Sequence, residues 1–282
     1  MIKFGPSGNS ISFYEEGHKK TFEAAKWLRE RNLDAFEYSF GKGYILSSES
    51  AKQIGDEFKK EGIAMSIHAP YFINFANPND EMYQKTKGYI RTGIKFLHLM
   101  SADRLIFHPA SCGKATREEA VALTQKRLSE FIGELEGEGL LEGIYLCPET
   151  MGKTMQIGTY KEVVDFCTIN PHLIPTFDFG HINALTQGGL KTKEDYKRIF
   201  AYCREKLGEE RTKICHIHFS KIEFGAKGEI RHLNFDDEVY GPNFEPLAEV
   251  IKEEGLTPRI ICESAGNMAE DAAEMKRIYL SL

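Results

Sequence analysis

The sequence predicts an α/β fold, a (β/α)8 TIM barrel forming a single domain over residues 1–282, on three observations. Short β-branched or aromatic runs recur along the whole 282-residue chain, and each is followed by a stretch with apolar residues at helical spacing. The units number eight and average about 35 residues, a length typical of one βα repeat. No composition shift or Pro/Gly-rich linker marks a second domain. A doubly wound open sheet is the competing arrangement, but it usually carries a glycine-rich phosphate turn after its first strand, and GPSGNS at residues 5–10 does not match GxGxxG.

The strands fall, in order, at residues 3–7, 34–40, 64–71, 104–110, 143–150, 173–179, 213–220 and 259–264. Helical spacing is strongest between them at 24–31, 81–100 and 117–135. Composition agrees with a packed soluble chain: 41% hydrophobic and 28% charged residues, with 25 Gly and 10 Pro, exclude disordered and collagen-like classes. Lys plus Arg number 36 against 42 Asp plus Glu, a net charge of −6, which excludes a generally basic nucleic-acid coat but leaves room for a local basic face. No apolar run approaches the roughly 20 residues of a membrane span, and the opening MIKFGPSGNS lacks a signal-peptide pattern. A cytoplasmic location with no membrane partner is expected, and no protein partner is evident. The 6 cysteines stand singly without a CxxC pair, so they read as buried small hydrophobes.

In such a barrel, chemistry sits at the C-terminal ends of the strands. Six successive runs place a histidine or carboxylate there: His68, His108, Glu149, Asp178 with His181 just beyond, His218, and Glu263. The two-residue strand period puts His216 and His218 on one face and Cys215, Ile217 and Phe219 on the other. The same parity turns Ser66 with His68, Cys147 with Glu149, Thr176 with Asp178, and Ile261 with Glu263 toward the axis. Three carboxylates converging in a half-buried mouth repel one another by several kcal/mol unless cations neutralise them. Imidazole and carboxylate ligands without thiolate suit Zn²⁺ and admit Mn²⁺, Fe²⁺ or Co²⁺. The set exceeds the needs of one ion. With Glu149 bridging, it accommodates two ions about 3.5 to 4 Å apart, the spacing used in phosphoryl displacement.

Single histidines at strand ends are usually core or rim residues, and it is the six coordinated ends that favour a metal centre. His216, one layer deeper, reads as a support for a ligand or a satisfied core residue, and His18, His98 and His172 as structural or solvated. For Glu37 a solvated rim carboxylate is favoured over an inward ligand. Lys42, Lys114, Lys153, Lys191, Lys221, Lys227 and Arg231 fall in loops after strands, where they are phosphate partners or ordinary solvated charges. Tyr71, Phe72, Tyr44 and Phe75 are candidates to fill a gap left by a missing base, with Phe72 and Phe75 alternatively in the core.

At these residues the sequence resembles the endonuclease IV family of apurinic/apyrimidinic endonucleases, within the xylose-isomerase-like barrel superfamily. The likeness runs from about Ala64 to Leu282 through HAPYFINFANP, FHPAS, CPET, DFGH and CESAG in the family's order. The resemblance implies a trinuclear zinc site that cleaves double-stranded DNA 5′ to an abasic sugar. By motif match His68, His108 and Glu149 hold the first ion, Glu149, Asp178, His218 and Glu263 the second, and His181 and His232 belong to the third. Tyr71 matches a position beside the abasic site, and Lys227 and Arg231 are expected on the DNA. Bacterial members carry Asp-Arg-His at the third site, whereas this chain reads Glu229-Ile230-Arg231-His232. Ile230 stands where the aspartate is expected, and Glu229 is the candidate substitute. The loop GKGYILSS after the second run is shorter than the family's DNA-penetrating loop and lacks its arginine. The opening also departs from the family's Gly-x-His-x-Ser. These features are similar to the divergent branch seen in archaea and some bacteria.

Catalysis is expected from Glu149 and Glu263, the latter orienting the nucleophile. Two other readings remain. A sugar isomerase or epimerase of the same superfamily would use Glu149 and Glu263 as its acid/base pair and one ion on Asp178 and His218. A metal-bearing protein that binds damaged DNA without turnover is the other.

Overall fold

The computed structural model describes residues 1–282. Eight parallel strands form the barrel: β1 (Lys3–Pro6), β2 (Ala35–Ser39), β3 (Ala64–His68), β4 (Arg104–Phe107), β5 (Tyr145–Pro148), β6 (Thr176–Asp178), β7 (His216–Phe219) and β8 (Arg259–Cys262). They pair as two ladders, β2-β3-β4-β5 and β6-β7-β8-β1. Bridges close the ring where the ladders meet, Ser7 with Glu37 on one side, and Leu146 with Leu173 and Glu149 with Thr176 on the other. The expected (β/α)8 barrel is therefore borne out. At Gly5 the first strand passes so close to the second that a Cβ would stand 1.7 Å from the Ala35 carbonyl oxygen.

Proline shortens several strands relative to the sequence reading. The third stops at His68, two residues before Pro70, and the fourth at Phe107, ahead of Pro109. The sixth starts only after Pro175 and ends at Asp178, because Phe179 already opens the helix Phe179–Leu185. Residue 213 belongs to the helix Lys193–Lys213 rather than to β7. The helices Ala24–Glu30, Asp80–Leu99 and Arg117–Gly137 match their expected spans to within two residues. Their starts are fixed locally: Asn79 Oδ1 accepts from Met82 N, and Thr116 forms a capping box with Glu119.

The core has two parts. Between strands and helices lies one large cluster that includes Cys215, just before β7, and Ile217 and Phe219 from its outer face. Inside the ring, Ile106, Cys147 and Ile174 form a small separate cluster. The inward and outward parity read from the sequence thus holds. Buried Arg259 donates to Met65 O at 2.8 Å and pairs with Asp103 at 2.8 Å, while buried Arg104 donates to Cys215 O at 3.2 Å. The rest of the interior is polar, with Glu37, Ser66, Thr176 and His216 all buried. All the cysteines are free and buried, as expected. No helix is long and apolar enough to cross a membrane.

Two antiparallel pairs lie outside the sequence reading: a short one, Ala110–Ser111 with Gln156–Ile157, and a hairpin, Lys221–Gly225 with Gly228–Leu233, that follows β7. The hairpin is the larger. It docks on the loop after β5 through a bridge between Lys153 and Gly228 and a hydrogen bond from Glu229 N to Gly152 O of 2.9 Å.

The helix Tyr160–Cys167 is anchored by one carboxylate. Glu162 accepts two 2.7 Å hydrogen bonds from Arg117 and further ones from Gly158 N and Thr159 N at 2.9 and 2.8 Å. Burial opposes its charge, but these donors hold its pKa below the ordinary 4.5. Glu162→Ala should lower unfolding free energy by about 2 kcal/mol in urea titrations. A depressed folded pKa means that the stabilisation is present above 4.5 and is lost as pH falls through the folded value. The deficit relative to wild type should therefore shrink in acid, and an unchanged gap at pH 3 to 7 would contradict the assignment.

Candidate metal centre

The inward ends of β3 to β8 bring the expected residues together at one mouth. His68 Nε2 lies 3.0 Å and His108 Nε2 3.2 Å from the same oxygen of Glu149. The other Glu149 oxygen is 3.2 Å from His218 Nδ1, which is 3.6 Å from Glu263 Oε1. Three groups with donor atoms in mutual reach result: His68, His108 and Glu149; Glu149, Asp178, His218 and Glu263; and His181, Glu229 and His232. Glu149 is common to the first two and sits 3.4 Å from His181 Nδ1 at the edge of the third.

Local structure fixes which atoms face the centre. His68 Nδ1 donates to Ala69 O at 2.8 Å and His181 Nδ1 to Thr150 O at 2.9 Å, leaving Nε2 of each ring as the free lone pair. His232 engages Ser220 Oγ at 2.8 Å through Nδ1 and likewise turns Nε2 to the site. Asp178 is both the end of β6 and the N-cap of the next helix: Oδ1 accepts from His181 N at 2.7 Å. Its Oδ2 is buried with no hydrogen-bond partner.

The electrostatics suit cations. Burial pushes the Asp178 carboxyl up to about 6, with Glu263 and Glu149 adding to the rise. Burial also opposes ionisation of Glu149, but His218 and His108 hold it well below the usual carboxylate range. Burial lowers His108. His181 is driven well above its ordinary value against the effect of burial, chiefly by Asp178. Three converging acids, two of them buried, and five imidazoles with a carboxylate oxygen lacking a hydrogen bond are the donor set that a nitrogen/oxygen-binding divalent ion requires.

The third group explains the missing aspartate. In the hairpin, Glu223 pairs with Arg231 but Phe224 pairs with Glu229, so Ile230 is an extra, bulged residue. A regular strand would put Ile230 and His232 on one face. The bulge instead brings Glu229 to the His232 side, with Glu229 oxygens 3.5 Å from His181 Nε2 and 3.9 Å from His232 Nε2. Ile230 is turned out and is 56% exposed. Gly152 permits the approach, since a Cβ there would stand 2.8 Å from Glu229 Cβ and 2.9 Å from His181 Cδ2.

Other assignments need correction. Glu37 is not a solvated rim carboxylate: it is completely buried, because Phe36, Tyr38 and Phe40 take the outward positions of the alternation and turn Glu37 inward beside Ser66. That alternation was the available signal. Lys221 is not a free rim charge, since its Nζ is held by the carbonyls of Phe235, at 2.8 Å, and Asp237. Phe75 is core, and Tyr44 stacks on Phe96 with its hydroxyl buried. Tyr71 does stand at the mouth, 59% exposed and stacked on His108 at 5.2 Å between centroids. Phe72 is exposed beside it. Lys42, Lys114, Lys153, Lys191, Lys227 and Arg231 are exposed, with Arg231 paired to Glu223 at 2.7 Å.

Comparison with known proteins agrees with the fold. A family model described as xylose isomerase-like TIM barrel matches residues 25–279. An uncharacterized protein of Methanocaldococcus jannaschii is 32% identical over 100% of this chain and 98% of its own length. A probable endonuclease 4 of Enterococcus faecalis is 30% identical over 80% of this chain and 75% of its length. Among solved structures, a D-tagatose 3-epimerase-like protein aligns with a TM-score of 0.73 at 22% identity, covering 99% of this chain and 97% of that one. Endonuclease IV from Thermus thermophilus aligns with a TM-score of 0.68 at 17% identity, covering 99% and 98%. This chain belongs to the xylose isomerase-like TIM barrel family.

Proposed function

We propose that this chain is a zinc-dependent phosphodiester hydrolase, an apurinic/apyrimidinic endonuclease that cuts double-stranded DNA 5′ to abasic sites in repair. It would work in the cytoplasm as one barrel domain over residues 1–282. The observation that carries this reading is the meeting of three ligand groups at Glu149, and the similarity to a probable endonuclease 4 supports it. His68, His108 and Glu149 would hold one ion, Glu149, Asp178, His218 and Glu263 a second, and His181, Glu229 and His232 a third. When bound, divalent ions supply Lewis acidity and offset the charge of the scissile phosphate.

The chain's own groups do the rest. Glu263 is the most exposed of the three converging carboxylates, at 17%, and is placed to orient the attacking water and hold its proton. Water adds at phosphorus, the bond from phosphorus to the 3′ oxygen of the preceding nucleotide breaks, and the proton held by Glu263 passes to that oxygen, leaving a 3′ hydroxyl and a phosphate on the abasic sugar. Glu149 ties the imidazoles of His68, His108 and His218 into one unit. Tyr71, with Phe72 beside it, presents an aromatic face at the rim where a base is missing. Lys227 at the hairpin turn and Arg231 on its second strand meet phosphates, so binding weakens with salt.

The epimerase alternative draws on one observation, that Glu149, Asp178, His218 and Glu263 alone make a complete set for one ion. It leaves His68, His108, His181 and His232 without a task. Metal analysis separates the two: about one ion per chain fits an isomerase, and two or three fit the hydrolase.

Incubating the zinc-loaded protein with a duplex carrying an abasic analogue should give incision on the 5′ side, abolished by a chelator. Binding without incision would favour the non-catalytic alternative. Glu263→Gln should reduce the cleavage rate by about 10²- to 10⁴-fold with an unchanged circular dichroism spectrum; near wild-type cleavage would remove the role given to Glu263. Glu229→Ala should lower metal content by about one ion per chain, and adding Ile230→Asp to it should not restore that ion, because position 230 is turned out by the bulge. Restoration in the double variant would show that the ligand comes from position 230.

A further inference from the structure

Directly beneath the ligand ring, four buried groups have no part in the reading above: Glu37, Ser66, Arg104 and His216. They form a chain. Arg104 Nη1 lies 3.4 Å from His216 Nδ1. His216 Nε2 lies 3.1 Å from Glu37 Oε2, to which Ser66 Oγ donates at 2.8 Å. The other oxygen, Glu37 Oε1, lies 2.9 Å from His218 Nε2. His218 Nδ1, on the far side of the ring, faces Glu149 and Glu263.

The tautomers follow from which groups can only donate or only accept. Arginine has no acceptor, so His216 Nδ1 must present its lone pair to Arg104, and neutral His216 carries its hydrogen on Nε2. That hydrogen points to Glu37. Glu37, His216 and His218 are close enough to suggest a metal triad, but a ligand at His216 Nε2 would need the lone pair that Arg104 leaves on the other nitrogen. The ionised carboxylate accepts only, so the 2.9 Å approach of His218 Nε2 to Glu37 Oε1 puts a hydrogen on Nε2; without an ion His218 Nδ1 also donates to Glu149 Oε1 at 3.2 Å, and a bound ion would take the place of that second hydrogen. Both approaches are bent, yet His216 Nε2, His218 Nε2 and Glu37 Oε1 have no other partner and no route to water.

We propose that Glu37 is a positioning residue for the metal centre, fixing the His218 ring with its hydrogen on Nε2 so that Nδ1 is the ligand atom. The inference rests on the reading of His218 as a metal ligand. The reason for a side-chain partner is local. His68, at the end of its strand, and His181, beyond its strand, each find a backbone carbonyl. His218 lies within β7, paired in register to β6 and β8 on its two sides, so its neighbouring carbonyls are taken by the ladders. Glu37, reaching across the barrel from β2, supplies the acceptor instead.

Two measurements on the zinc-loaded full chain test this. Long-range ¹H–¹⁵N spectra of the histidine rings should place the His218 hydrogen on Nε2 with Nδ1 unprotonated; a hydrogen on Nδ1 overturns the proposal. In chelator competition, Glu37→Gln should weaken zinc binding about 10- to 100-fold for one ion, since an amide can accept from one imidazole but not from both. An affinity equal to wild type overturns the proposal, and if this variant fails to fold, the wild-type spectra still decide. Neither readout involves DNA. Glu37-dependent zinc affinity without abasic incision would overturn the nuclease reading alone, incision with unchanged zinc affinity in Glu37→Gln would overturn this inference alone, and a wild-type protein that takes up no zinc would overturn both.

Discussion

Glu149, Asp178 and Glu263 are driven into one another's company by the closure of the barrel, and the rest of the upper interior is arranged around that crowding. Carboxylates so placed can be accommodated by protonation, by imidazoles or by cations. Burial and the neighbouring acids push Asp178 toward the first, and the imidazoles of His218 and His108 supply the second at Glu149. What neither response provides is a hydrogen bond for the buried Asp178 Oδ2, since His181 Nδ1, 3.3 Å away, gives its hydrogen to Thr150 O. His68, His181 and His232 meanwhile hold their second ring nitrogens by hydrogen bonds directed away from the mouth. That is an arrangement for delivering lone pairs to an ion, and it distinguishes this ring from a network of buried ion pairs, whose contribution to stability alone is weak.

The supporting layers follow from the same geometry. Side chains enter the axis only on alternate residues, so β7 contributes His216 one layer below His218, and β8 contributes Arg259 at the floor. Arg259 near the start of its strand, the small apolar cluster of Ile106, Cys147 and Ile174, the linked Arg104, His216, Glu37 and Ser66, and the candidate ligand ring at the strand ends fill the interior. The rigidity is in the strands, and the variable parts are loops: the segment carrying Tyr71 and Phe72, and the hairpin carrying Glu229, Lys227 and His232.

Much of this was legible in the text of the chain. A period of two is a strong signal when strands are short and their ends carry histidine or acid, so the inward set from His68 to Glu263 could be listed without coordinates. Glu37 was equally readable from the flanking Phe36, Tyr38 and Phe40, but a lone carboxylate near a strand end is more often solvated, and that prior prevailed. Strand ends were less readable, because Pro70, Pro109 and Pro175 interrupt pairing only once neighbours are known. Lys221 was misplaced for a different reason: its partners are backbone carbonyls from residues 235 and 237, which no side-chain pattern records.

The bulge at Ile230 carries a wider lesson. One inserted position moves the acid one residue along the hairpin while setting it beside His181 and His232, so under the proposed reading the site is defined by a place and not by a column of letters. Aligning the chain residue by residue with relatives that bear aspartate would score the acid as lost. In this chain the acid is present in space, contributed by Glu229, the preceding residue, with one more methylene.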